Sequence, residues 1–174
     1  MTFNSWQFLV FLPIIIILNY VLPHKFRWIV LLIASYVFYC FWNPTLIFLI
    51  VATTLTSYLG ALIIEKSEKE VIKKSALIVC LVISFGFLIF FKYINFLIHS
   101  VIDFLNLFSL ELDQITLNVI LPVGISFYTF QTASYVIDIY KKKYNAEKHL
   151  GYYALYVSFF PQLVAGPIEK ADFL

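Results

Sequence analysis

One stretch of the sequence becomes polar at regular intervals: residues 121–140, which read LPVGISFYTFQTASYVIDIY. As a helix, this stretch carries its polar and small residues on one face, at spacings of three and four: Gly124, Tyr128, Gln131, Tyr135 and Asp138. Pro122 fits the first turn of such a helix, because the amide that proline lacks has no partner there. The stretch therefore predicts a helix that starts at Leu121 and bears a polar stripe.

A second stretch, residues 151–168, reads GYYALYVSFFPQLVAGPI and is apolar but interrupted by proline. Pro161 and the pair Gly166-Pro167 break it twice, beside Gln162. Broken backbone at membrane depth occurs where it is buried in protein or lines a cavity. The pattern predicts a broken or re-entrant helix near the C-terminus, and a plain proline kink is the alternative.

The overall composition predicts a membrane protein. The 174 residues are 62% hydrophobic and 13% charged, with a mean hydropathy of +0.91, whereas soluble domains are about 45–50% apolar and about 25% charged. We predict an all-α, polytopic membrane helical bundle of about five to six spans, forming one domain over residues 1–174. The expected spans are 6–22, 28–42, 45–64, 75–91, 121–140 and 151–168.

The basic residues predict the orientation of the bundle. Most lysines and arginines fall into three clusters, at residues 25–27, 66–74 and 141–148, and the predicted spans place all three on one side. The positive-inside rule makes that side cytoplasmic and puts the N-terminus outside. The net charge of +2 is too small for a nucleic-acid-binding surface, so the lipid bilayer is the expected partner and nucleic acid is not.

The polar stripe has two interpretations. An aspartate at mid-helix costs about 2.5–3.5 kcal/mol on insertion scales, so such groups face protein or a wet cavity. Tyr128, Gln131, Tyr135 and Asp138, with Gln162, are therefore candidates to line a polar cavity. The alternatives are that Asp138 pairs with Lys142 at i,i+4 and that Gln131 makes an interhelical hydrogen bond.

Catalytic and metal-binding patterns are missing from the sequence. The three histidines, His24, His99 and His149, form no recognisable triad, although His99 precedes Asp103 by one helical turn. Cys40 and Cys80 sit in apolar runs without metal-ligand spacing, so no metal site is predicted.

Three segments, in order, resemble the signature of the membrane-bound O-acyltransferase family: residues 121–131 (LPVGISFYTFQ), 135–140 (YVIDIY) and 156–168 (YVSFFPQLVAGPI). The branch that they resemble most is the bacterial alginate O-acetyltransferase and D-alanyl-lipoteichoic acid transfer type. Phe91-Lys92-Tyr93 followed by Asn95-Phe96 also resembles a segment of that branch.

The resemblance implies acyl transfer to a hydroxyl of an exported cell-envelope polysaccharide, through a funnel in the bacterial cytoplasmic (inner) membrane. No bound cofactor is implied; acetyl-CoA or an acyl carrier protein would be the donor, and accessory envelope proteins would be partners. Gln131 and Asp138 would face the funnel. The motif residues Pro122, Gly124, Pro161, Gly166 and Pro167, with Gln162, would shape it.

The family's catalytic base is a histidine on a later helix, where a neutral imidazole takes the proton of the hydroxyl. None of this chain's histidines stands in that context. The resemblance thus implies an N-terminal portion that is inactive alone and whose base is expected downstream of Leu174. A non-catalytic scaffold and a transporter-like subunit are the competing interpretations; the second predicts inverted repeats, which the sequence does not show.

Overall fold

The computed structural model describes residues 5–41, 43–107, 116–117 and 121–166, most of which are helical. The helices, in chain order, are α1 (Trp6–Val21), α2 (His24–Cys40), a 3₁₀ turn (Pro44–Leu46), α3 (Ile47–Lys66), α4 (Glu70–Asn106), α5 (Ile125–Tyr140), α6 (Leu150–Ser158) and α7 (Phe160–Ala165). The described residues contain no strand, and the predicted all-α class is confirmed.

The outer surface of the bundle is suited to lipid. Two helical segments, Pro44–Lys66 and Glu70–Asn106, are long and apolar enough to cross a membrane, and Trp6–Val21 is a shorter apolar helix. Large apolar side chains stand on the outside, such as Phe48 at 74% and Val82 at 64% exposure. Soluble proteins rarely leave extended apolar surface in water. The molecule is therefore an all-α membrane bundle.

The longest helix exceeds its predicted span. Residues 75–91 form only part of α4, which runs for 37 residues from Glu70 to Asn106. At 1.5 Å per residue it is about 55 Å long, nearly twice the hydrocarbon thickness of about 30 Å. Lys92 does not end the helix; its ammonium lies 5.3 Å from the centre of the Tyr93 ring.

The central helix, α3, contacts α2, α4, α5 and α6. Its buried hydroxyl residues Thr53 and Ser57 donate hydrogen bonds to carbonyls one turn earlier, at 2.6 and 2.7 Å. Gly60 faces Cys80 of α4 so closely that a Cβ there would overlap the Cys80 Sγ. Small residues at such contacts let membrane helices approach, because lipid gives no hydrophobic drive for association.

The predicted broken helix is confirmed, with the break at Phe159, between α6 and α7. Pro161 lies in the first turn of α7, where its missing amide costs no hydrogen bond. The Phe160 amide instead donates to Ser35 Oγ of α2 at 3.2 Å. Gly166 ends α7, whereas Pro167 lies outside the described residues.

We expect Ser35→Ala to lower the free energy of unfolding by about 1–3 kcal/mol, because the buried Phe160 amide would lose its acceptor. Ser134→Ala is the control, since the Ser134 hydroxyl bonds only within its own helix, to Gln131 O at 2.9 Å. Unfolding in mixed detergent micelles measures both variants. Equal stability of the two would show that Ser35 does not hold the break.

Candidate functional site

The polar stripe begins one turn later than the sequence predicts. Helix α5 starts at Ile125, not at Leu121, and Pro122 and Gly124 precede it. The Ile125 amide lies 3.4 Å from Pro122 O, which closes a turn. Gly124 has φ +74° and ψ 4°, a left-handed backbone conformation that residues with a Cβ rarely adopt. A right-handed helix cannot continue through such a residue. Pro122 and Gly124 are therefore turn residues.

The turn before α5 packs directly on the broken helix. An added Cβ on Gly124 would stand 2.7 Å from the Leu163 carbonyl oxygen of α7. Around the same short helix, the Phe160 ring contacts Phe11 and Phe38, with centroids 5.6 and 5.4 Å apart. Two segments 39 residues apart in the sequence, at Gly124 and at Leu163, thus pack against each other.

Three stripe residues are buried in protein. Tyr128 is 0% exposed, and Gln131 and Tyr135 are 2% exposed. The Gln131 Nε2 donates to the Tyr156 carbonyl oxygen of α6 at 3.0 Å. The amide therefore makes an interhelical hydrogen bond, one of the two interpretations of the sequence. That these residues also line a passage stays a prediction.

At the C-terminal end of the stripe, tyrosines hold the 141–149 loop in place. The Tyr135 hydroxyl accepts a hydrogen bond from the Glu147 amide at 2.8 Å. Its ring lies 4.6 Å from that of Tyr153, centre to centre. Tyr153 donates to Ser57 Oγ at 2.7 Å, and Tyr58 donates to Lys148 O at 2.6 Å. These bonds join α3, α5, α6 and the loop.

Buried hydroxyl groups lie beside Gln131. Tyr39 of α2 and Tyr128 of α5 interact through their side chains. Within the described part of the chain, neither of these hydroxyls nor that of Thr129 has a hydrogen bond of standard geometry. Buried polar groups are usually satisfied by protein or by ordered water. This part of the stripe thus keeps the hydrogen-bonding capacity that a wet passage requires.

The alternative interpretation of Asp138, an ion pair with a lysine at the end of the helix, holds, but with a different lysine. Asp138 pairs not with Lys142 but with Lys143, whose Nζ lies 2.8 Å from Oδ1. The reason is that α5 ends at Tyr140 and Lys142 takes a left-handed φ of 55°. The chain folds back there, and the Lys143 amide donates to Asp138 O at 3.0 Å. Helical i,i+4 spacing therefore no longer applies.

The fifth candidate, Gln162, lies half-buried in α7. Its backbone amide donates to Phe159 O, and its backbone carbonyl oxygen accepts from the Gly166 amide, both at 3.0 Å. These two hydrogen bonds connect Gln162 to both ends of this short helix.

The histidines occupy three separate places. His24 lies beside Arg27, with Nε2 and Nη1 3.1 Å apart. His149 caps α6 through Nδ1, which accepts from the Tyr152 amide at 3.3 Å. His99 lies on α4 with Nε2 3.3 Å from Thr116 Oγ1. The distances therefore bring no two of these histidines into one site.

Sequence reasoning missed a clamp on α4. Asn95 donates from Nδ2 to Leu117 O at 3.0 Å and accepts from the Leu117 amide at 2.9 Å. An amide side chain can mimic a peptide group in this way and satisfy a backbone donor and acceptor together. Asn95 belongs to the family-like segment after Tyr93, so its presence there was the available signal.

The three basic clusters meet at one end of the bundle. The Trp28 ring, next to the first cluster, lies 4.9 Å from the His149 ring, next to the third. Lys73 of the second cluster and Lys142 of the third line the same cavity. This arrangement agrees with the clustering on one side that the topology requires, while the side itself stays a prediction.

A bundle with lipid-facing helices and a hydrogen-bonded polar interior defines an integral membrane protein. The chain is 36% identical over 172 residues to the probable alginate O-acetylase AlgI of Pseudomonas aeruginosa, an alignment that covers 98% of this chain and 33% of that protein. The corresponding protein of Azotobacter vinelandii is also 36% identical, over 98% of this chain and 34% of its own length. The peptidoglycan O-acetyltransferase of Helicobacter pylori is 35% identical over 81% of this chain and 30% of its own length.

Almost the whole chain is thus similar to proteins named O-acetylases or O-acetyltransferases, in agreement with its resemblance to the membrane-bound O-acyltransferase family. It spans about a third of the length of the curated relatives that it matches. No protein-family model matches it, and no solved structure matches it.

Proposed function

We propose that this protein takes part in O-acetyl transfer to hydroxyl groups of an exported cell-envelope polysaccharide. The observation that carries the proposal is the identity of 35–36% to proteins named alginate O-acetylases, over 98% of the chain. A relative named for a different polymer, peptidoglycan, shares the acetyl group. Acetyl transfer to a carbohydrate hydroxyl is the chemistry common to both names.

The proposal places the donor on the basic side of the membrane. Acetyl-CoA and acyl carrier proteins are both anionic, and clustered lysines raise the local concentration of anions. The basic clusters lie together at one end of the bundle. We assign that end to the cytoplasm and the N-terminus to the outside of a bacterial inner membrane. Accessory envelope proteins would receive or present the polymer on the other side.

The described residues contribute positioning to this reaction. An acceptor hydroxyl must lose its proton as it attacks the acetyl carbonyl, and a neutral imidazole is the usual base. His24 lies beside the Arg27 guanidinium, His149 caps α6, and His99 lies beside Thr116. The contacts described for these three imidazoles lie outside the stripe of α5, so we assign proton transfer to another group.

Complementation tests the proposal. A strain that lacks the gene is supplied with the complete reading frame, and the ester-linked acetate of its envelope polysaccharides is measured by proton NMR. We expect acetate to fall in the deletion strain and to return on complementation. Unchanged acetate in the deletion strain, with no second copy of the gene, would reject the proposed function.

We expect Gln131→Leu in the complete protein to lower polysaccharide acetylation by about tenfold or more, because the bond from Gln131 to α6 is lost and small displacements of positioning groups cost rate. Membrane levels are expected to stay normal, since one interhelical hydrogen bond contributes about 0.6–2 kcal/mol. Ser134→Ala, one turn along the same helix, is the control. Full activity of Gln131→Leu would remove Gln131 from the site.

A further inference from the structure

A polar cavity of about 230 Å³ lies at the basic end of the bundle, between α3, α4, α5 and the 141–149 loop. Its lining differs from the stripe, because charged side chains lie there beside Tyr140 and Tyr144. Lys73 and Lys142 contribute two cations, Glu65 contributes a carboxylate, and Asn145 contributes an amide. Ile64 forms part of its apolar wall.

Lys73 is the most enclosed charge in the cavity wall. Its side chain is only 12% exposed, and its Nζ lies 3.0 Å from Glu70 Oε1. Buried lysines need such a partner, because an ammonium loses its hydration when it leaves water. The Glu70 side chain, however, is 69% exposed. It can return to solvent at little cost and leave Lys73 for another anion.

Lys142 lines the cavity from a strained turn. Its φ of 55° is sparsely populated by residues with a Cβ. The neighbouring bond between Lys143 and Asp138 holds the chain in this turn. The loop is fixed further by the bond from Tyr58 to Lys148 O. The position of Lys142 beside the cavity is therefore set by these loop contacts and does not require a ligand in the cavity.

The charges around the cavity are balanced. Two lysines face two carboxylates, Glu65 in the wall and Glu70 at the rim. A simple anion would meet both signs, whereas a ligand with a phosphate and an amine would match both. The helices that form the cavity also expose apolar side chains close to it in sequence, Ile63 at 48% and Ile72 at 44%. Acyl chains can pack there.

We propose that this cavity binds the headgroup of a phospholipid that carries both a phosphate and an amine, such as phosphatidylethanolamine. The phosphate lies between Lys73 and Lys142, and the ammonium faces Glu65. Ordered binding at this place fixes the ends of α3 and α4 at the level of the lipid headgroups. The lipid site is proposed independently of the proposed acetyl transfer.

Native mass spectrometry tests the proposal on the complete protein, released from micelles that contain equal amounts of phosphatidylethanolamine and phosphatidylglycerol. We expect the wild type to retain phosphatidylethanolamine. The double variant Lys73→Met/Lys142→Asn is expected to retain about tenfold less, since two charge-assisted contacts are lost. Asparagine suits the left-handed turn at position 142.

The control double variant, Lys69→Met/Lys141→Asn, removes the same charge from the same end, at exposed residues outside the cavity lining. It is expected to retain phosphatidylethanolamine like the wild type. Equal loss in both double variants would mean that surface charge alone attracts the lipid, and would overturn the proposal. Displacement of the lipid by inorganic phosphate alone would assign the cavity to a soluble ligand and overturn it too.

Glu65 gives a second, independent arm. Glu65→Gln removes the carboxylate that is proposed to face the amine, and because Glu65 is exposed we expect the fold to stay intact. We expect Glu65→Gln to retain relatively more phosphatidylglycerol and less phosphatidylethanolamine than the wild type. Glu68 is an exposed carboxylate outside the cavity lining, and we expect Glu68→Gln to leave the ratio of the two lipids unchanged. An unchanged preference in Glu65→Gln would refute the proposed placement of the amine.

Discussion

Gly124→Ala is expected to destabilise the protein by roughly 3 kcal/mol or more. Two costs add: a left-handed φ of 74° is strained for alanine, and the new Cβ would stand 2.7 Å from the Leu163 carbonyl oxygen. The Leu163 oxygen belongs to backbone and cannot turn aside. Helix α7 would have to move away from α5.

A matched control separates this effect from a general response to losing a glycine. Gly86 lies on an exposed face of α4, and a Cβ added there meets no atom within 4 Å. Gly86→Ala is expected to be neutral or to stabilise by about 0.5–1 kcal/mol, because glycine is a poor helix former. Unfolding of both variants in mixed micelles measures the difference. Similar stabilities would show that the turn before α5 is not left-handed.

Gly60→Leu is expected to destabilise the contact between α3 and α4 by about 3 kcal/mol, because its side chain must occupy space that Cys80 fills. Cys80 is 4% exposed, and its thiol donates to Thr56 O at 3.4 Å. Displacing Cys80 would therefore break this hydrogen bond and its packing. The two helices that are long enough to span a membrane meet at this point. Their separation would disturb the centre of the bundle.

The control again uses the open glycine. Gly86→Leu adds the same side chain to the lipid-facing surface of α4, and we expect it to change stability little. A second test combines Gly60→Leu with Cys80→Ala, which frees space at the contact. We expect a favourable coupling energy of about 0.5–3 kcal/mol. Additive effects would show that Gly60 and Cys80 do not share this space.

The spacing of residues in the polar stripe predicts which of them share a helix face, but not which groups they contact. The sequence places Gln131 on the same face as Tyr128 and Tyr135, and all three are buried together. Spacing alone left open whether Gln131 bonds to a neighbouring helix or faces water. The partner, Tyr156 O, comes from a segment 25 residues later, and periodicity within one helix cannot indicate such a contact.

Helix ends show where local reasoning fails. The alternative in which Asp138 pairs with Lys142 assumed that the helix continued, whereas α5 ends at Tyr140 and Lys143 makes the ion pair. The predicted start of α5 at Leu121 is also wrong, because Pro122 is tolerated equally in a first helical turn and in the turn before a helix. Termini depend on which side chains and carbonyls are nearby, and tertiary packing decides that.

The sequence by itself determined that this protein lies in a membrane and that it is all-α. It also determined where the chain has a broken helix and which segments resemble the acyltransferase family. These properties follow from the sum of many side chains or from breakers such as Pro161, which act locally. Only the tertiary structure decided the left-handed turn at Gly124 against Leu163, the support of α7 by Ser35, and the cavity that joins Lys73 to Lys142. Each of these joins residues far apart in the chain, and their distances are set by packing between helices.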